Sequence, residues 1–314
     1  MDPIAIVIVT YNSGAEIGPC IAAARLIPDS DIIVVDNASS DASVPRAIHA
    51  GARVLANVSN TGFAAAVNAG VRATSAPLIL LLNPDAEYQS GIDQLIQCFA
   101  DPLVAAAGGL MIGADSQPQS GFMARNLPTP ITLAFEVLGL NRLFPGNPVN
   151  RRYRCRALDL QHPTLVEQPA GAFFMFRREC WENVGGWDEG YWPVWFEDVD
   201  FCTRLRDGGW RVIFQPATVA KHAGAHSIHS LPFQVREQYW YASLLRYAAR
   251  HYPTAGFWGV RWAVVAASIV RAVRALPEHG FSAVKVYFGV IRQAFRGFPE
   301  LQRSGVQHVR RLGK

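Results

Sequence analysis

Acidic side chains stand next to apolar runs at two places in the sequence, where they could hold a metal ion or move a proton. The first is Asp85, which follows five consecutive aliphatic residues over 78–82, a pattern typical of a strand buried on both faces. Pro84 cannot donate a ladder hydrogen bond, so the strand is expected to end near Asn83. Because Asn-Pro-Asp is also ordinary turn chemistry, Asp85 is either a ligand-binding acid or a turn residue on this pattern alone.

The second place is an aromatic and acidic stretch, residues 187–200, which contains three tryptophans and five acids. Its last three acids, Glu197, Asp198 and Asp200, open a predicted helix. A carboxylate at this position could act as a general base. The alternative is structural, because acids at a helix start also cap the helix and complement its dipole.

These acids need a sheet to position them, and the first hundred residues have the pattern of one. Apolar runs at 4–9, 31–35, 53–56 and 78–82 alternate with predicted helices, which indicates an α/β fold with a doubly wound, mostly parallel sheet. The carboxyl ends of parallel strands share one edge, where ligands bind in open sheets. The residues expected at that edge are the polar Thr10, Tyr11, Asn12, Asp36, Asn60, Asn83 and Asp85, together with Gly62.

The rest of the chain adds further strands and a long irregular stretch. Strands are predicted over 104–112, 171–177 and 210–214, with Lys221-His222 beyond the last one. Residues 115–165 contain six prolines and four closely spaced arginines, and are interpreted as a loop region over the sheet edge. Glycine-rich dinucleotide and P-loop motifs and a Gly-x-Ser-x-Gly elbow are absent, which disfavours dehydrogenase, P-loop and serine-hydrolase functions.

Composition predicts a cytosolic protein with an unevenly distributed charge. The five cysteines are scattered and lack a Cys-x-x-Cys pair, which favours reduced thiols, and no secretory signal is recognised. The chain of 314 residues carries a net charge of +4. Residues 251–314 hold ten Lys or Arg and two acids, so the first 250 residues sum to −4. A basic tail on a mildly acidic body predicts an anionic partner surface, either lipid or nucleic acid.

The C-terminal region is predicted to be helical, aromatic and basic. Helices are expected over 232–250 and 257–276. Arg261 interrupts the apolar run near residues 258–270, which is then shorter than the roughly 20 residues of a spanning helix. The pattern fits a helix lying in the membrane interface, and packing against the rest of the protein is the alternative.

Six motifs together resemble a known family. In order and spacing the chain is similar to family 2 glycosyltransferases with the GT-A fold, inverting enzymes that use nucleotide sugars. The resemblance covers about residues 3–250 and is nearest to the rhamnosyltransferase-like branch of bacterial surface polysaccharide synthesis. The motifs are Thr10-Tyr11-Asn12, Val35-Asp36-Asn37-Ala38-Ser39-Ser40-Asp41, Asn60-Thr61-Gly62-Phe63, Leu82-Asn83-Pro84-Asp85, Glu197-Asp198 and His222.

This resemblance implies a donor-binding set. Asp36 would accept the N3–H of uracil or thymine, and residues 10–12 would form the wall of the base pocket. Asn60 and Gly62 lie where members of the family contact the nucleotide.

The resemblance also implies a metal site for Mg²⁺ or Mn²⁺. Asp85 matches the metal-binding acid of the family's Asp-x-Asp motif, and His222 matches a further ligand. The first acid of that motif is Asn83 here, so this position would bind the ribose or a metal-bound water instead. His226 and His229 are alternative histidines.

The remaining implied roles concern catalysis and the acceptor. Asp198 matches the family's base, and Glu197 would orient it or bind the acceptor. Arg204 either meets the diphosphate or forms a salt bridge with Asp200. The tryptophans Trp187, Trp192 and Trp195 either form an acceptor platform or are core aromatics.

The predicted function is transfer of one sugar, rhamnose from dTDP-rhamnose, to a glycan or a polyprenyl-diphosphate-linked acceptor. The alternatives are a UDP-hexose donor on the same fold, a non-catalytic membrane assembly scaffold, and nucleic-acid binding, for which no motif is recognised. Residues 1–230 are predicted as the catalytic domain, with a nucleotide-sugar half to about residue 110 and an acceptor half after it. Residues 231–314 would be a helical region at the inner face of the cell membrane, in the cytoplasm.

Overall fold

A computed structural model of the protein describes residues 4–224 and 232–296. The described chain forms two compact units. The first comprises residues 4–127 and 151–224, and the second comprises residues 128–150 and 232–296. The division into folding domains at residues 230 and 231 stays a prediction, and the second unit also contains residues from the proline-rich middle of the chain.

Eleven strands are present in the described residues of the first unit. In chain order they are β1 Ile4–Thr10, β2 Ser30–Asp36, β3 Arg53–Ala56, β4 Leu78–Leu82, β5 Ala86–Ser90, β6 Val104–Ile112, β7 Ala124–Arg125, β8 Thr164–Val166, β9 Gln168–Pro169, β10 Phe173–Arg177 and β11 Arg211–His222. Nine of them form one sheet in the order β3-β2-β1-β4-β10-β6-β11-β5, with β8 paired to β11. The short strands β7 and β9 pair with each other.

The helices of the described residues connect these strands and build the second unit. They are α1 Ile17–Ala24, α2 Ser43–His49, α3 Phe63–Arg72, α4 Ile92–Gln97, α5 Pro130–Val137, α6 Leu140–Leu143, α7 Pro148–Tyr153, α8 Arg178–Asn183, α9 Glu197–Asp207, α10 Phe233–His251, α11 Thr254–His279 and α12 Phe281–Ala294. A short 3-10 turn over Cys98–Ala100 follows α4.

The sheet confirms the predicted α/β fold with a mostly parallel sheet. Six of the nine strands run in one direction, because β1 to β4 pair in parallel and the antiparallel β10 reverses the direction again before β6 and β11. The carboxyl ends of these six strands therefore share one edge. Thr10, Asp36, Leu82, Ile112 and His222 are the last residues of five of them.

The centre of the sheet is β4, and its five aliphatic residues are all buried, as predicted. It pairs in parallel with β1 and antiparallel with β10. Helix α3 packs closely on the neighbouring strands, because a Cβ built on Gly70 would lie 2.5 Å from Val7 Cγ1. The glycine thus lets the helix backbone approach β1.

Two predictions about the later strands and loops are wrong. Residues 115–165 are not simply irregular, since they contain α5, α6 and α7. The last strand does not end at residue 214 but continues as β11 to His222. Its register with β6 shifts between Gln215 and Val219, so the ladder passes Pro216 through a bulge and then resumes.

The second unit confirms the predicted C-terminal helices, with ends shifted by a few residues. Helix α11 packs on both α12 and α5. Among the described residues, α11 is the one helix whose length and composition would allow it to cross a membrane, which corrects the expectation that none does. A core helix of a water-soluble unit satisfies the same criteria, so they do not by themselves place α11 in a membrane.

Candidate active site

The ends of β1 and β2 bring two buried polar side chains together, because Thr10 and Asp36 are paired in the sheet register. Thr10 and Asp36 are almost completely buried, and within the described ranges Thr10 Oγ1 and Asp36 Oδ1 have no hydrogen-bond partner. The other carboxylate oxygen of Asp36 accepts the Ser39 N–H at 3.0 Å. Unpartnered buried polar atoms are costly, so a ligand that donates a hydrogen bond to Asp36 fits this position.

The loops that follow β1 and β2 are hydrogen-bonded to each other through their side chains. Asn12 has a positive φ of 53°, and its Oδ1 accepts the Ser40 N–H at 2.8 Å. Tyr11, the residue after Thr10, is exposed over 42% of its surface, so its ring is accessible to a ligand.

Asn60 and Gly62 are connected to the end of β2 through Asn37, the residue that follows Asp36. Asn37 Nδ2 donates to the Gly62 carbonyl at 3.1 Å, and Asn60 Oδ1 accepts the Gly62 N–H at 2.9 Å. Gly62 has a φ of 88°, and a Cβ there would lie 2.8 Å from Trp192 Cδ1. Only glycine fits both the backbone conformation and the space.

Asp85 and His222 meet at the same edge, although 137 positions separate them in the chain. His222 Nε2 lies 3.5 Å from Asp85 Oδ1, and both side chains are nearly buried. The Ala223 N–H also donates to the Asp85 carbonyl at 3.0 Å, which fixes the two segments to each other.

Two residues that were not predicted orient His222. Gln119 Nε2 donates to the His222 carbonyl at 2.9 Å, so its Oε1 faces His222 Nδ1 at 3.0 Å and accepts that proton. In the tautomer that carries its single proton on Nδ1, Nε2 would offer its lone pair on the side of Asp85. Phe122 stacks on the ring, with centroids 5.1 Å apart and planes 5° apart.

This arrangement fits a divalent cation. Carboxylate oxygen and imidazole nitrogen are ordinary ligands for such ions, and Asp85 Oδ1 and His222 Nε2 face each other at 3.5 Å. Within the described residues, no three His, Cys, Asp or Glu side chains are arranged so that they could hold a metal ion together, so the protein would supply two ligands and the donor phosphates or water the others. Asn83 precedes Asp85 by two residues, and the alternative His226 and His229 lie outside the described residues.

Asp198 follows an unusual backbone turn at the start of α9. Trp195 and Phe196 both have positive φ angles, of 82° and 68°, which bulky residues rarely adopt. Strain of this kind is concentrated at functional sites. The turn places Asp198 in the first turn of the helix, where its Oδ2 accepts a hydrogen bond from Gln168 Nε2 at 2.8 Å.

The environment of Asp198 raises the pKa of its carboxyl group. Burial of the carboxylate is the main cause, and the Val199 N–H, the Arg125 charge and the Gln168 amide act in the opposite direction. A base with a raised pKa holds a proton more strongly than an ordinary aspartate does. Gln168 itself is buried, and in the described structure its Oε1 has no partner.

Glu197 lies beside Asp198 and is more deeply buried. Burial raises the pKa of Glu197 well above its usual value, and the charges of Asp198 and Asp200 add to the effect. Its Oε2 has no hydrogen-bond partner within the described ranges. A neutral Glu197 can donate a hydrogen bond, which fits either of its predicted roles, orienting the base or binding the acceptor.

Trp187 is a core residue in this structure, and its buried position disagrees with its predicted place in an acceptor platform. Only 1% of its surface is exposed, because its ring stacks on Phe201 at 5.0 Å and contacts Phe174 and Phe176 edge-on or tilted. A buried ring cannot offer its face to a sugar. Trp195 is partly buried and Trp192 is 46% exposed, so these two remain accessible to a ligand.

Arg204 forms the salt bridge with Asp200 that was predicted as the alternative to a diphosphate contact. Its Nε bonds Asp200 Oδ2 at 2.8 Å, and its Nη1 donates to the carbonyls of Val184 and Gly186, both at 2.7 Å. These contacts satisfy Nε and Nη1, whereas Nη2 is buried and has no hydrogen-bond partner within the described residues. A diphosphate contact through Arg204 stays a prediction that they do not support.

The candidate base and the candidate metal-binding acid are linked through the two residues that precede β10. Ala172 accepts the Asn83 N–H at 3.0 Å. A Cβ built on the preceding residue, Gly171, would lie 3.5 Å from Asp198 Oδ2. Asp198 therefore lies close to the edge at which Asn83 and Asp85 follow β4.

Comparison with known families identifies the class of protein to which this chain belongs. Residues 5–184 match the model of glycosyl transferase family 2, which is more than half of the chain. The chain therefore belongs to glycosyltransferase family 2. Residues 151–227 also match a model described as the N-terminal domain of galactosyltransferase.

Characterised relatives include rhamnosyltransferases. The chain is 28% identical over 280 residues to N-acetylglucosaminyl-diphospho-decaprenol L-rhamnosyltransferase of Mycobacterium tuberculosis, an alignment that covers 83% of this chain and 89% of the relative. It is 36% identical over 87 residues to a rhamnosyltransferase of Escherichia coli K12, covering 28% of this chain and 32% of that protein.

Solved structures agree on the fold. A mannosyltransferase from Pyrobaculum calidifontis in complex with GDP-mannose and Mn²⁺ superposes with a TM-score of 0.53 at 15% identity, covering 93% of this chain and 86% of the other. The N-acetylgalactosaminyltransferase GalNAc-T7 with UDP, GalNAc and Mn²⁺ gives a TM-score of 0.59 at 14% identity, covering 97% and 56%.

Proposed function

We propose that the protein is a metal-dependent inverting glycosyltransferase that adds one sugar, rhamnose from dTDP-rhamnose, to a lipid-linked acceptor in bacterial surface polysaccharide synthesis. The observation that carries this proposal is the placement of the Asp198 carboxylate beside Gly171, next to the edge where Asp85 faces His222. A candidate base and a candidate cation site at one edge are the groups that an inverting transfer needs.

The protein groups would divide the reaction between them. Asp198 would remove the proton of the acceptor hydroxyl while that oxygen attacks the anomeric carbon from the face opposite the diphosphate. The bond between that carbon and the diphosphate oxygen would break as the new bond forms, which inverts the configuration. The raised pKa of Asp198 suits this role, because the base must hold a proton at the end of the step.

Asp85 and His222 would hold the divalent cation, Mg²⁺ or Mn²⁺. Its chemistry is to neutralise charge on the departing nucleoside diphosphate. Gln119 and Phe122 would keep the imidazole in the orientation that faces Asp85. Asn83 would contact the ribose or a metal-bound water through its amide.

The donor assignment has two supports. The unpartnered Asp36 oxygen and Thr10 hydroxyl suit the N3–H and carbonyl groups of a pyrimidine base. The names of two relatives specify rhamnose. A UDP-hexose donor would use the same pocket and is the alternative.

The acceptor assignment follows from the M. tuberculosis relative, whose name specifies a decaprenol diphosphate. An acceptor of that class is held in a membrane, so we place the reaction at the cytoplasmic face of the cell membrane, with the protein bound peripherally. A basic C-terminal region suits an anionic surface.

Thermal shift and transfer assays test the donor and the metal together. We expect dTDP-rhamnose with Mn²⁺ to raise the melting temperature more than UDP-hexoses or dTDP-rhamnose without metal. Transfer to a short-chain prenyl-diphosphate acceptor should follow, with an anomeric configuration opposite to that of the donor by NMR. No donor-dependent shift and no transfer would favour the scaffold alternative.

A variant of the candidate base tests the mechanism. Asp198→Asn should abolish transfer and leave the Kd of dTDP nearly unchanged, because the base contacts the acceptor rather than the nucleotide. Asp188→Asn, which alters another acid of the same stretch, is the matched control and should retain transfer. A clear loss of dTDP affinity in Asp198→Asn would show that this carboxylate serves the donor instead.

A further inference from the structure

Helix α11 carries an exposed apolar stripe along its whole length. Trp258, Trp262, Ile269, Val273 and Leu276 are each 37–63% exposed. At about 100° of rotation per residue, these five side chains fall within roughly 60° of the helix circumference. They therefore project from one side of the helix.

Helix α12 carries a second stripe. Phe281 is 82% exposed, Phe288 is 68% exposed and Val284 is 40% exposed. Phe295, which follows the helix, is 49% exposed and continues the same side. Ten of the 23 large hydrophobic side chains that are exposed in the described ranges lie between Trp258 and Phe295, so their concentration here is a property of this region.

The two stripes meet in a groove of about 260 Å³. The α11 wall includes Ile269, Val273 and Leu276, and the α12 wall includes Val284 and Phe288. The stripes thus form one continuous apolar face, called here the α11–α12 face. Apolar patches of this kind mark interaction sites.

The opposite sides of both helices are already occupied. Val260, Val264 and Ala267 of α11 are buried in the second unit, as are Val286 and Val290 of α12. Because only one side of each helix is open, the pair is built to lie on a surface rather than to be surrounded by it. This arrangement favours in-plane binding at an interface over a membrane span.

Charge identifies the kind of surface. Residues 232–296 contain nine Lys or Arg and two acids. Lys285, Arg292 and Arg296 are exposed and lie about 50–90° round α12 from the centre of its stripe, on its border. A second copy of this chain would bring the same positive charge to the contact and be repelled, whereas anionic lipid headgroups would be attracted.

We propose that the α11–α12 face docks in the plane of an anionic lipid bilayer, with its apolar side chains among the acyl chains and its bordering cations at the headgroups. This inference rests on the membrane association in the proposed function and adds to it the binding face and the mode of binding. Docking through this face does not depend on the residues that bind the donor.

Vesicle sedimentation of the full chain tests the face. The probes are vesicles of phosphatidylcholine alone and of phosphatidylcholine mixed with phosphatidylglycerol. We expect binding to the mixed vesicles that weakens with added salt, and the double variant Val273→Glu, Phe288→Glu to bind about tenfold or more weakly. Leu26→Glu, Ile48→Glu is the matched control, since it adds the same charge at exposed apolar sites of the first unit and should bind like the parent chain.

Two further measurements keep the outcomes distinct. The variant's circular dichroism and melting temperature should match those of the parent, and its transfer to a water-soluble acceptor analogue should be retained, which separates loss of docking from loss of catalysis. Equal binding by both double variants, or no binding to either kind of vesicle, would overturn the proposal. Resistance of the bound chain to alkaline extraction would overturn in-plane docking, and a dimer that only the Val273→Glu, Phe288→Glu variant disrupts would assign the face to a second copy.

Discussion

The hydrogen bond from Gln168 to Asp198 offers a direct test of how Asp198, the proposed base, is positioned. Gln168 is buried, and its Nε2 lies 2.8 Å from Asp198 Oδ2. We predict that Gln168→Leu, which keeps a similar volume and removes the donor, lowers kcat and leaves the Kd of the nucleotide donor unchanged. A hydrogen bond to a charged group contributes about 1.5–3 kcal/mol, which corresponds to a loss of about 10- to 150-fold if the full effect falls on the transition state.

The pH dependence distinguishes positioning from a general loss of structure. The Gln168 amide lowers the pKa of Asp198, and so does the charge of Arg125. Removing the amide should therefore raise that pKa, so that the base is protonated at higher pH and the acidic limb of the kcat profile moves upward. Gln168→Glu should move the limb further, because it adds a second carboxylate beside the first.

The assay is steady-state transfer at saturating donor and acceptor over a range of pH, together with nucleotide binding by calorimetry. Gln89→Leu, at an exposed position of β5, is the control for the substitution itself. A kcat within twofold of the parent value and an unchanged acidic limb would show that Gln168 does not act through the base. A parallel fall in melting temperature and nucleotide affinity would assign it a structural role.

Variants of His222, Gly70 and Trp187 test separate parts of the structure. His222→Asn should remove the Mn²⁺-dependent part of the donor-induced thermal shift and keep the metal-free part, and an undiminished metal effect would exclude His222 as a ligand. Gly70→Ala should lower the free energy of unfolding in urea, because overpacking costs about 1–3 kcal/mol and the gain in helix propensity offsets only about 1 kcal/mol. Gly18→Ala is the control and should be neutral or stabilising, because a Cβ at Gly18 would have no atom within 4 Å. Trp187→Ala should cost about 3–5 kcal/mol of unfolding free energy, and the milder Trp187→Phe should leave the acceptor KM unchanged because the ring is buried. A raised acceptor KM in Trp187→Phe at full stability would restore the platform role.

Strong local patterns made the sheet of the first 112 residues predictable. The aliphatic run of β4 and the nine residues of β6 appear in the structure with the predicted bounds. These strands are buried within a mainly parallel sheet, so their sequences are almost uniformly apolar and bounded by turn residues. The clusters that follow β1, β2 and β4 then reach one edge because parallel strands require it.

The proline-rich middle of the chain was harder to interpret, although one signal was present. Thr129 caps α5, with its Oγ1 accepting the Thr132 N–H at 3.2 Å, and Pro130 occupies the first turn. A threonine followed by proline is a helix start, so the prolines here mark boundaries as well as loops. Trp187 has no such local signal, because its burial depends on rings of β10 and α9 that only the fold brings against it.

The residues that the sequence did not reveal connect the two chemical centres. Phe122 stacks on His222, and the Arg125 guanidinium lies 5.8 Å from the centre of the Phe122 ring. Arg125 in turn pairs with Gln168 across the two-residue ladder of β7 and β9, and Gln168 holds Asp198. Two paired residues have no periodicity to detect, so this path exists only in the folded chain. These contacts run from His222, the candidate metal ligand, to Asp198, the candidate base. A substitution of Phe122 or Arg125 should therefore affect both residues. Asp36 and Thr10 take no part in these contacts.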